Sequence, residues 1–383
     1  MSPVKIAHIT TVDLSLRYLL LNQMLSLCEA GYEVVGISAP GSNVQVLERA
    51  GIRHIAVPMT RNISPIADLL TLFRLVNVMR QERFTIVHTH TPKPSLLGQL
   101  AARIARVPIV INTLHGFYFH DHMSTTQRRF YIAMEKIAGR CSDVILSQNS
   151  EDVGTAINEG ICRPDQIRFL GNGIDVTRFD RSRLDPATLN RTRRDLGIPE
   201  GMLVVGFVGR LVAEKGIPEL LQAAQRIATQ YSNVRFLIVG PYDAEKADAL
   251  KPTIANKFGI ADICTFPGMR QDMPEIYALM DIFVLPSHRE GFPRSPMEAS
   301  AMGVPCIVTD IRGCREAVEH GRNGLLVPLG DVEALAAAIK ELVENPEQAA
   351  IMGSEGRRMA LERFDERLVF EKVKAEYMRL LGT

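Results

Sequence analysis

Long apolar segments, paired cysteines and an excess of charge of one sign are all missing from this sequence of 383 residues. No uninterrupted run of about 18 apolar residues occurs, which argues against a membrane-spanning helix. The six cysteines form no Cys-x-x-Cys pair, and no signal-peptide pattern opens the chain. We therefore expect reduced core thiols in a cytoplasmic protein. A net charge of +1 gives no support for nucleic-acid binding.

The motifs that usually hold phosphate or metal are also absent. The sequence has neither the Gly-x-Gly-x-x-Gly fingerprint of dinucleotide binding nor a Walker A loop. It lacks an Asp-x-Asp pair, which often holds Mg²⁺ or Mn²⁺, and it lacks the zinc-type spacing of histidine and cysteine. We therefore expect no bound metal and no resident cofactor.

Short apolar strands alternate with helical stretches along most of the chain, which predicts parallel sheets covered by helices on both faces. The alternation stops near Gly171–Asp175, where a charged, turn-rich segment follows, and a second strand–helix series begins at Leu203. The length is itself typical of two domains. We therefore predict an α/β protein with two doubly wound, Rossmann-like domains facing a cleft. The predicted parts are a first domain over 1–175, a linker over 176–200, a second domain over 201–365 and a last helix within 366–383.

One strand-to-helix connection of the second domain contains two glutamates. Asp281–Pro286 is predicted to form a buried strand, and a helix follows. Glu290 then lies in the loop at the carboxyl end of the strand, where open α/β sheets bind ligands, and Glu298 lies in the first helical turn. The two carboxylates could bind two parts of one polyhydroxylated ligand. Alternatively, Glu298 only completes a capping box with Ser295, with Pro296 at the first helical position.

The loop Gly209–Gly216, after the first strand of the second domain, has two cations where a dinucleotide-binding protein has glycines. A diphosphate that departs with growing negative charge would be stabilised there by Arg210 and Lys215, without a metal ion. The alternative is a solvated loop with ordinary surface charges.

Seven of the nine histidines lie in the predicted first domain. His88 and His90 end a strand and point the same way, so we favour cleft or core histidines over metal ligands. His115 follows the strand Ile109–Asn112 in a loop that opens on the cleft. His120 and His122, in the same loop, are weaker candidates.

These motifs together resemble those of the retaining glycosyltransferases of family 4. The resemblance is carried by Glu290-x7-Glu298 within Arg-Glu-Gly-Phe-Pro-Arg-Ser-Pro-Met-Glu-Ala, by Arg210-x4-Lys215, and by His115-Gly followed by aromatics. It covers nearly the whole chain and implies the GT-B architecture, a nucleoside-diphosphate sugar donor and a metal-independent reaction. It also implies a last helix that crosses back onto the first domain. The departing phosphate would help to deprotonate the acceptor in a front-face mechanism.

The resemblance implies a role for each matching residue. Arg210 and Lys215 would neutralise the diphosphate. Glu290 would bind hydroxyls of the donor sugar, Glu298 would bind the ribose hydroxyls, and His115 would support the sugar at its reacting face. The other donor-binding candidates are Gly209, Met269, Arg270, Phe292, Arg294 and Ser295.

The first loop lacks the Gly-Gly pair that is common in the family, so its contacts are assigned only as candidates. The acceptor or first-loop candidates are Thr11, Asp13, Arg17, His90 and Lys93. The segment His88–Gly98 resembles a narrower group that extends capsular, exopolysaccharide or lipid-linked oligosaccharides in bacteria. We therefore expect transfer of a hexose or N-acetylhexosamine, with UDP as the favoured carrier, to a saccharide or polyprenyl-diphosphate-linked acceptor.

Two stretches, Ile63–Phe84 and Arg128–Lys136, combine apolar residues with cations. Each either contacts the membrane surface or packs as a helix on the sheet, and packing is the simpler expectation. Two other functions stay open: a nucleotide-sugar epimerase on the same fold, which would need no acceptor, and a non-catalytic sugar-nucleotide binding protein. The intact cations and glutamates argue against the second.

Overall fold

The computed structural model describes residues 3–60, 62–119, 123–244 and 246–382. The chain divides into two compact units. The first consists of Met1–Gly171 together with Val369–Thr383, and the second of Asn172–Leu368. Each unit is built on a parallel sheet with helices, so the predicted α/β class with two doubly wound domains is confirmed.

The first unit contains a seven-stranded parallel sheet in the order β3-β2-β1-β4-β5-β6-β7. Strand order reverses at β1, which lies between β2 and β4. The strands are β1 Lys5–Val12, β2 Glu33–Ala39, β3 Arg53–Ala56, β4 Ile86–Thr89, β5 Ile109–Leu114, β6 Val144–Ser147 and β7 Ile167–Phe169.

The helices of the first unit begin and end where local chemistry favours it. Pro65 and Pro92 occupy first helical positions, and Ser124 and Asn149 accept capping hydrogen bonds from backbone N–H groups. The α-helices are Asp13–Ser15, Leu21–Glu29, Val44–Arg49, Pro65–Glu82, Pro92–Ala105, Thr125–Cys141 and Ser150–Asn158, with a π-helical turn at Leu16–Leu20 and a 3₁₀ turn at Pro164–Gln166.

The C-terminal helix, Glu366–Leu381, contributes its buried face to the first unit. Val373 and Tyr377 are fully buried there and pack with Ile6 and Ile86 of β1 and β4. The last residues of the chain are therefore part of the core that supports the first sheet.

The second unit contains a six-stranded parallel sheet in the order β10-β9-β8-β11-β12-β13. Strand order reverses at β8, between β9 and β11. The strands are β8 Leu203–Val208, β9 Val234–Val239, β10 Cys264–Gly268, β11 Ile282–Leu285, β12 Cys306–Thr309 and β13 Gly324–Val327. The α-helices are Pro186–Asp195, Ile217–Ala228, Met273–Ala278, Arg294–Ala301, Cys314–Ala317, Val332–Glu344 and Pro346–Arg363, with 3₁₀ turns at Arg181–Arg183, Ala213–Lys215, Pro252–Phe258 and Ala261–Ile263.

Two segments of the second unit differ from the sequence interpretation. Residues 176–200, predicted as a linker, lie within the unit and contain the helix Pro186–Asp195, whose first N–H groups are capped by Asp185. The predicted alternation of strands and α-helices also fails between β9 and β10, where the 3₁₀ turn Pro252–Phe258 takes the place of an α-helix. The residues before that turn pair instead with the loop after β8, through Ala213 N–Asp248 O at 2.9 Å and Leu250 N–Leu211 O at 2.8 Å.

The chain enters and leaves the second unit at one point. Ile174 N donates to Phe364 O at 2.7 Å, and Glu366 N donates to Ile174 O at 3.0 Å, which forms a parallel bridge between Ile174 and Asp365. In the part of the chain that the structure describes, none of the helices combines the length and the apolar character needed to cross a lipid bilayer.

Candidate active site

The candidate site of the second unit lies at the point where strand order reverses. The loops after β8 and β11 leave neighbouring strands at the carboxyl edge of the sheet, which is the usual ligand-binding position in open α/β sheets. The first of these loops contains Arg210 and Lys215, and the second contains Glu290. Topology therefore brings together residues that are about 75 positions apart in the sequence.

Lys215 and Glu290 are in direct contact. Lys215 Nζ lies 2.5 Å from Glu290 Oε1, and Ser287 Oγ donates to the same oxygen at 2.7 Å. Both charged side chains are largely buried, so the pair is screened little by solvent. One oxygen of the Glu290 carboxylate is thus fixed by the protein.

Arg210 is more accessible than Lys215. Its side chain is 38% exposed, and Nη1 lies 3.3 Å from Asp243 Oδ2. At that distance the contact with Asp243 is a long one, and the guanidinium has further N–H donors. Gly209, the preceding residue, donates its N–H to Val239 O in β9, which anchors the start of the loop.

Glu298 is positioned by a tyrosine and not by a helix cap. Tyr277 Oη donates to Glu298 Oε2 at 2.8 Å, and burial raises the pKa of Glu298 while nearby Arg294 opposes that shift. The predicted capping box with Ser295 is wrong, because the helix begins at Arg294 after the N-cap residue Pro293 and no side chain caps it. Pro296 is the third helical residue, where its missing N–H removes a donor that a cap would otherwise satisfy.

The other donor-binding candidates have different surroundings. Arg270 forms a two-point ion pair with Asp272 at 2.8 and 2.5 Å, next to the exposed side chain of Met269. Phe292 is buried against Phe364, and its carbonyl oxygen accepts from Asn172 Nδ2 at 2.9 Å. Phe292 therefore acts first as a packing residue that holds the loop.

Two residues at the start of the helix after β11 complete this set of candidates. Arg294 lies 3.6 Å from Glu366 Oε2, on the same helix as Glu298. Ser295 is half-buried. The helix Arg294–Ala301 thus places a cation and a carboxylate beside the loop that contains Glu290.

Contacts that sequence reasoning missed hold the two loops together. Arg289 Nε donates to Glu214 Oε1 at 2.8 Å, and His288 N donates to Glu214 O at 2.9 Å. His288 Nε2 also pairs with Glu219 at 2.7 Å, which raises the pKa of His288. Opposite charges in Gly209–Gly216 and Ser287–Glu290 were the only signal available in the sequence.

The first unit has a polar site at its own reversal point, between β1 and β4. Thr11 N donates to Thr91 Oγ1 at 3.0 Å, which joins the end of β1 to the loop after β4. Asp13 is buried and accepts from Asn43 N at 2.7 Å, and Arg17 Nη1 donates to Asn43 Oδ1 at 2.9 Å. The candidates Asp13 and Arg17 therefore meet through a residue that sequence reasoning missed.

A glycine outside the first loop permits this arrangement. A Cβ atom on Gly41 would lie 2.3 Å from the Asp13 carboxylate, so no larger residue fits there without displacing it. The Gly-Ser-Asn sequence after β2 was the available signal. Lys93, another candidate, is paired with Asp68 at 2.6 Å and is only 10% exposed. Its charge is therefore already balanced within the first unit.

His115 is linked to other buried polar side chains. Its Nδ1 lies 3.0 Å from Gln148 Oε1 and its Nε2 lies 3.4 Å from His90 Nδ1. Burial lowers the pKa of His115 to about 4, so the imidazole is neutral near pH 7. His120 and His122 lie outside the described residues.

One cluster in the first unit has the composition of a metal site. His8, His88 and His90 have ring nitrogens within 4.8 Å of one another. Among the described residues, no other group of three or more histidine, cysteine or carboxylate side chains is close enough to share an ion. Each of their ring nitrogens already has a hydrogen-bond partner. We therefore keep the interpretation of His88 and His90 as core histidines.

Solved structures with the same architecture define the class of fold. Anabaena HepE in complex with UDP and glucose matches with a TM-score of 0.84 at 22% identity, over 98% of this chain and 100% of that one. WaaG, a glycosyltransferase involved in lipopolysaccharide biosynthesis, matches with a TM-score of 0.76 at 17% identity, over 96% and 98%. The fold is GT-B, with two Rossmann-like units.

Sequence comparisons then give the family. The model described as "Glycosyl transferases group 1" matches residues 190–359, and "Glycosyl transferase 4-like domain" matches residues 18–173. The capsular polysaccharide biosynthesis glycosyltransferase CapM of Staphylococcus aureus is 30% identical over 98% of this chain and 97% of that relative. An Escherichia coli UDP-Gal:alpha-D-GlcNAc-diphosphoundecaprenol alpha-1,3-galactosyltransferase is 31% identical over 86% and 84%. The chain therefore belongs to the group 1 glycosyltransferases, and the resemblance to family 4 is confirmed.

Proposed function

We propose that this glycosyltransferase is a retaining, metal-independent enzyme. It transfers a hexose or N-acetylhexosamine from a UDP-sugar to a saccharide acceptor, linked to polyprenyl diphosphate, during synthesis of a bacterial surface polysaccharide. It works at the cytoplasmic face of the membrane.

The contact between Lys215 and Glu290 is the observation on which this proposal rests. Lys215, the proposed phosphate ligand, places its Nζ 2.5 Å from Oε1 of Glu290, the proposed sugar ligand. Both residues lie at the carboxyl edge of the second sheet, where such sheets usually bind ligands. A sugar and its diphosphate are adjacent groups in a nucleotide sugar. Side chains that bind them must therefore be neighbours as well.

Each residue has a distinct part in the proposed reaction. Arg210 and Lys215 stabilise the negative charge that grows on the diphosphate as the glycosidic bond breaks. Glu290 binds sugar hydroxyls through its second carboxylate oxygen, and Glu298 accepts from the ribose hydroxyls. His115 supports the sugar as a neutral imidazole, which does not repel the positive charge that develops on the sugar ring.

The proton of the acceptor hydroxyl passes to an oxygen of the departing phosphate. The new bond forms on the face that the diphosphate leaves, so the configuration at the anomeric carbon is retained. No side-chain base is needed for this step. The cations perform the charge balance that a metal ion provides in other glycosyltransferases.

The relatives support the choice of donor and acceptor. HepE has been solved with UDP and glucose, and the E. coli relative uses UDP-Gal and a diphosphoundecaprenol-linked acceptor according to its name. CapM acts in capsular polysaccharide biosynthesis. A UDP-sugar and a lipid-linked acceptor are therefore the first pair to test.

An exposed apolar stripe in the first unit supports contact with the membrane. The helix Pro65–Glu82 packs inward through Leu75 and Met79, yet its opposite side exposes Ile66, which is 80% accessible. The other exposed apolar residues of this stripe are Ile63, Leu69, Leu70 and Phe73. The packing interpretation of the segment 63–84 therefore holds for one face of the helix, and the proposed membrane contact concerns the other. Exposed apolar residues with nearby arginines favour an anionic lipid surface.

Release of UDP tests the proposed activity directly. The purified chain is incubated with a panel of nucleotide sugars, with and without a bacterial lipid extract, and both UDP and glycolipid are measured. We expect UDP release that depends on the extract and equals the glycolipid formed. Conversion of a UDP-sugar into its epimer without any acceptor would instead establish an epimerase, and binding without turnover would establish a binding protein.

Vesicle flotation tests the membrane contact. We expect the chain to float with vesicles that contain anionic lipid, and Leu69→Ser with Phe73→Ser to reduce the bound fraction. Ile351→Ser removes an apolar side chain with 59% exposure from the second unit and serves as the control. Equal flotation of both variants would reject the stripe as the contact surface.

A further inference from the structure

A continuous chain of hydrogen bonds runs through the buried histidines of the first unit. It begins at Thr113 in β5, passes through a tyrosine of the C-terminal helix and ends at Gln148. The six contacts are Thr113 Oγ1–His88 Nε2 at 2.7 Å, His88 Nδ1–Tyr377 Oη at 2.6 Å, Tyr377 Oη–His8 Nε2 at 3.5 Å, His8 Nδ1–His90 Nε2 at 2.9 Å, His90 Nδ1–His115 Nε2 at 3.4 Å and His115 Nδ1–Gln148 Oε1 at 3.0 Å.

The four imidazoles in this series of hydrogen bonds are neutral near pH 7. Burial lowers the pKa of His8 to about 3 and that of His115 to about 4, and it holds the pKa of His88 and His90 well below the usual value. Among the described residues, those that form this series of hydrogen bonds include no carboxylate and no cation. A neutral imidazole has one N–H donor and one bare nitrogen acceptor.

That donor and acceptor count forces one direction on the whole chain. If Gln148 presents its carbonyl oxygen, His115 carries its proton on Nδ1 and accepts at Nε2. His90 must then donate from Nδ1 and accept at Nε2, and the same holds for His8. Tyr377 donates to His8 and accepts from His88, whose Nε2 accepts from Thr113. All four histidines are therefore protonated at Nδ1. Turning the Gln148 amide would reverse His8, His90 and His115 together. His88 would be free to take either tautomer, because the Tyr377 oxygen can accept from both of its neighbours.

A shared metal ion is the competing explanation for three of these histidines. Nitrogens bound to one zinc ion at 2.0–2.1 Å lie about 3.3–3.4 Å apart in tetrahedral geometry. His8 Nδ1 and His90 Nε2 lie only 2.9 Å apart, which is a hydrogen-bond distance and shorter than that spacing. The partners that they already have, Tyr377 and Thr113 among them, account for both nitrogens of each ring.

We propose that Thr113, His88, Tyr377, His8, His90, His115 and Gln148 form one polarised hydrogen-bond relay that fixes the tautomer and orientation of His115. Tyr377 is its middle link, and His8, His88, His90 and Tyr377 are positioning residues. The C-terminal helix thereby supports His115 through hydrogen bonds as well as through packing. The functional meaning of the relay rests on the role proposed above for His115, whereas its existence does not.

The tautomers of the four histidines test the relay without reference to activity. Long-range proton–nitrogen NMR spectra of the full chain, with ¹⁵N-labelled histidine at pH 7.5, distinguish a protonated ring nitrogen from a bare one. We expect His8, His88, His90 and His115 all to carry their proton on Nδ1. A mixed set of tautomers among His8, His90 and His115 overturns the proposal, whereas Nε2 protonation of all three shows the same relay running in the reverse direction. Stoichiometric zinc, nickel or copper in the purified protein also overturns the proposal.

Tyr377→Phe tests the middle link. The substitution keeps the ring that packs in the core but removes the oxygen that joins His88 to His8. Tyr32→Phe is the matched control, because Tyr32 packs edge-on against Tyr377 at 6.1 Å and is not part of the relay. We expect the ring-nitrogen signals of His115 to shift in Tyr377→Phe and to stay in place in Tyr32→Phe. Unchanged His115 signals in both variants overturn the proposal.

Kinetics separate the relay from the proposed reaction. We expect Tyr377→Phe to lower kcat by about twofold to tenfold, as the loss of one neutral hydrogen bond does, while UDP affinity stays at the wild-type value. A fall in UDP affinity equal to the fall in kcat would indicate general damage and overturn the positioning role. If the wild-type chain transfers no sugar, the proposed function fails, and the NMR spectra still decide on the relay.

Discussion

The two units share a topology, but their reversal points have opposite chemistry. Between β1 and β4, the first unit places threonines and neutral histidines, and burial keeps those imidazoles uncharged. Between β8 and β11, the second unit places Lys215 against Glu290. The same edge of the same kind of sheet thus supports either a neutral hydrogen-bond network or an ion pair. The side chains, and not the fold, decide which chemistry is possible there.

This difference predicts that acid damages the first unit before the second. An imidazole whose folded-state pKa is depressed binds no proton where the unfolded chain already does, so its contribution to stability is intact above about pH 6.5 and is lost as pH falls. The pKa of His8 is about 3, so its contribution to stability continues to fall from about pH 6.5 down to about pH 3. Each such histidine costs about 1.4 kcal/mol per pH unit. In the second unit, the pKa of His288 is raised, so protonation of this residue stabilises the folded state as pH falls.

Thermal melts between pH 7.5 and 4.5, with hydrogen exchange read peptide by peptide, measure this effect. We expect a loss of several kcal/mol over the first pH units below 6.5. Protection should disappear first in β1 and β4. Earlier loss in β8 would contradict the contrast between the two units.

The next largest effect concerns the cations of the second unit. We expect Arg210→Ala or Lys215→Ala to lower turnover about tenfold to a thousandfold, because each removes charge directed at the leaving group. Lys257→Ala removes an exposed cation elsewhere in the unit and should have no effect. Steady-state kinetics give the comparison, and near-normal turnover in both site variants would reject the assigned role.

A double substitution sharpens the assignment of Lys215. Lys215→Met leaves Glu290 charged and without its ion-pair partner, so part of its effect comes from that carboxylate. If Lys215 serves only to pair with Glu290, Lys215→Met with Glu290→Gln should turn over no more slowly than Glu290→Gln alone. If Lys215 acts on the diphosphate, the double variant should be slower than Glu290→Gln alone.

A smaller effect separates the two glutamates. Glu298→Gln should weaken binding of UDP alone by about 1.5–3 kcal/mol, because a charged acceptor for the ribose hydroxyls is lost. Glu290→Gln should bind UDP as tightly as the wild-type chain or more tightly, because Lys215 is released from its partner, but should turn over more slowly. Titration calorimetry measures both. Equal loss of UDP affinity in the two variants would show that the division into sugar and ribose contacts is mistaken.

Removal of metal ions is expected to leave turnover unchanged. Activity should survive EDTA, because Arg210 and Lys215 balance the diphosphate charge in the proposed mechanism. Turnover before and after chelation gives the comparison. Loss of activity that Mg²⁺ or Mn²⁺ restores would show that the second unit depends on an ion as well as on its cations.

The sequence predicted the sheets well because their strands are short, apolar and bounded by turn residues. The second strand–helix series begins at Leu203 as predicted, and the strand predicted at Asp281–Pro286 is observed at Ile282–Leu285. The helix Pro346–Arg363 was not predicted. A Cβ on its Gly353 would lie 2.1 Å from Gly303 O, so a residue that lowers helix propensity is present because two backbones approach closely.

The candidate site was predictable where one loop holds the signal and not where distant segments meet. Lys215 and Glu290 were each visible as a charge in a loop that follows a strand. The support of Glu298 by Tyr277 was not visible, because a hydroxyl in a buried helix has no pattern in the sequence. The histidine relay depends on Tyr377, which lies 262 positions after His115 along the chain. No spacing rule joins residues that far apart.

The bridge between Ile174 and Asp365 brings the two ends of the second unit together, as in an inserted domain. Because its two ends are hydrogen-bonded to each other, residues 172–368 interrupt the first unit in the way that one domain is inserted into another. A chimera should therefore exchange 172–368 as one block and leave residues 1–171 and 369–383 together. Cutting only at residue 171 would graft the C-terminal helix, with Tyr377, from the wrong parent. If the second unit binds the donor as proposed, donor choice should transfer between relatives with this single insert and its two closely spaced junctions.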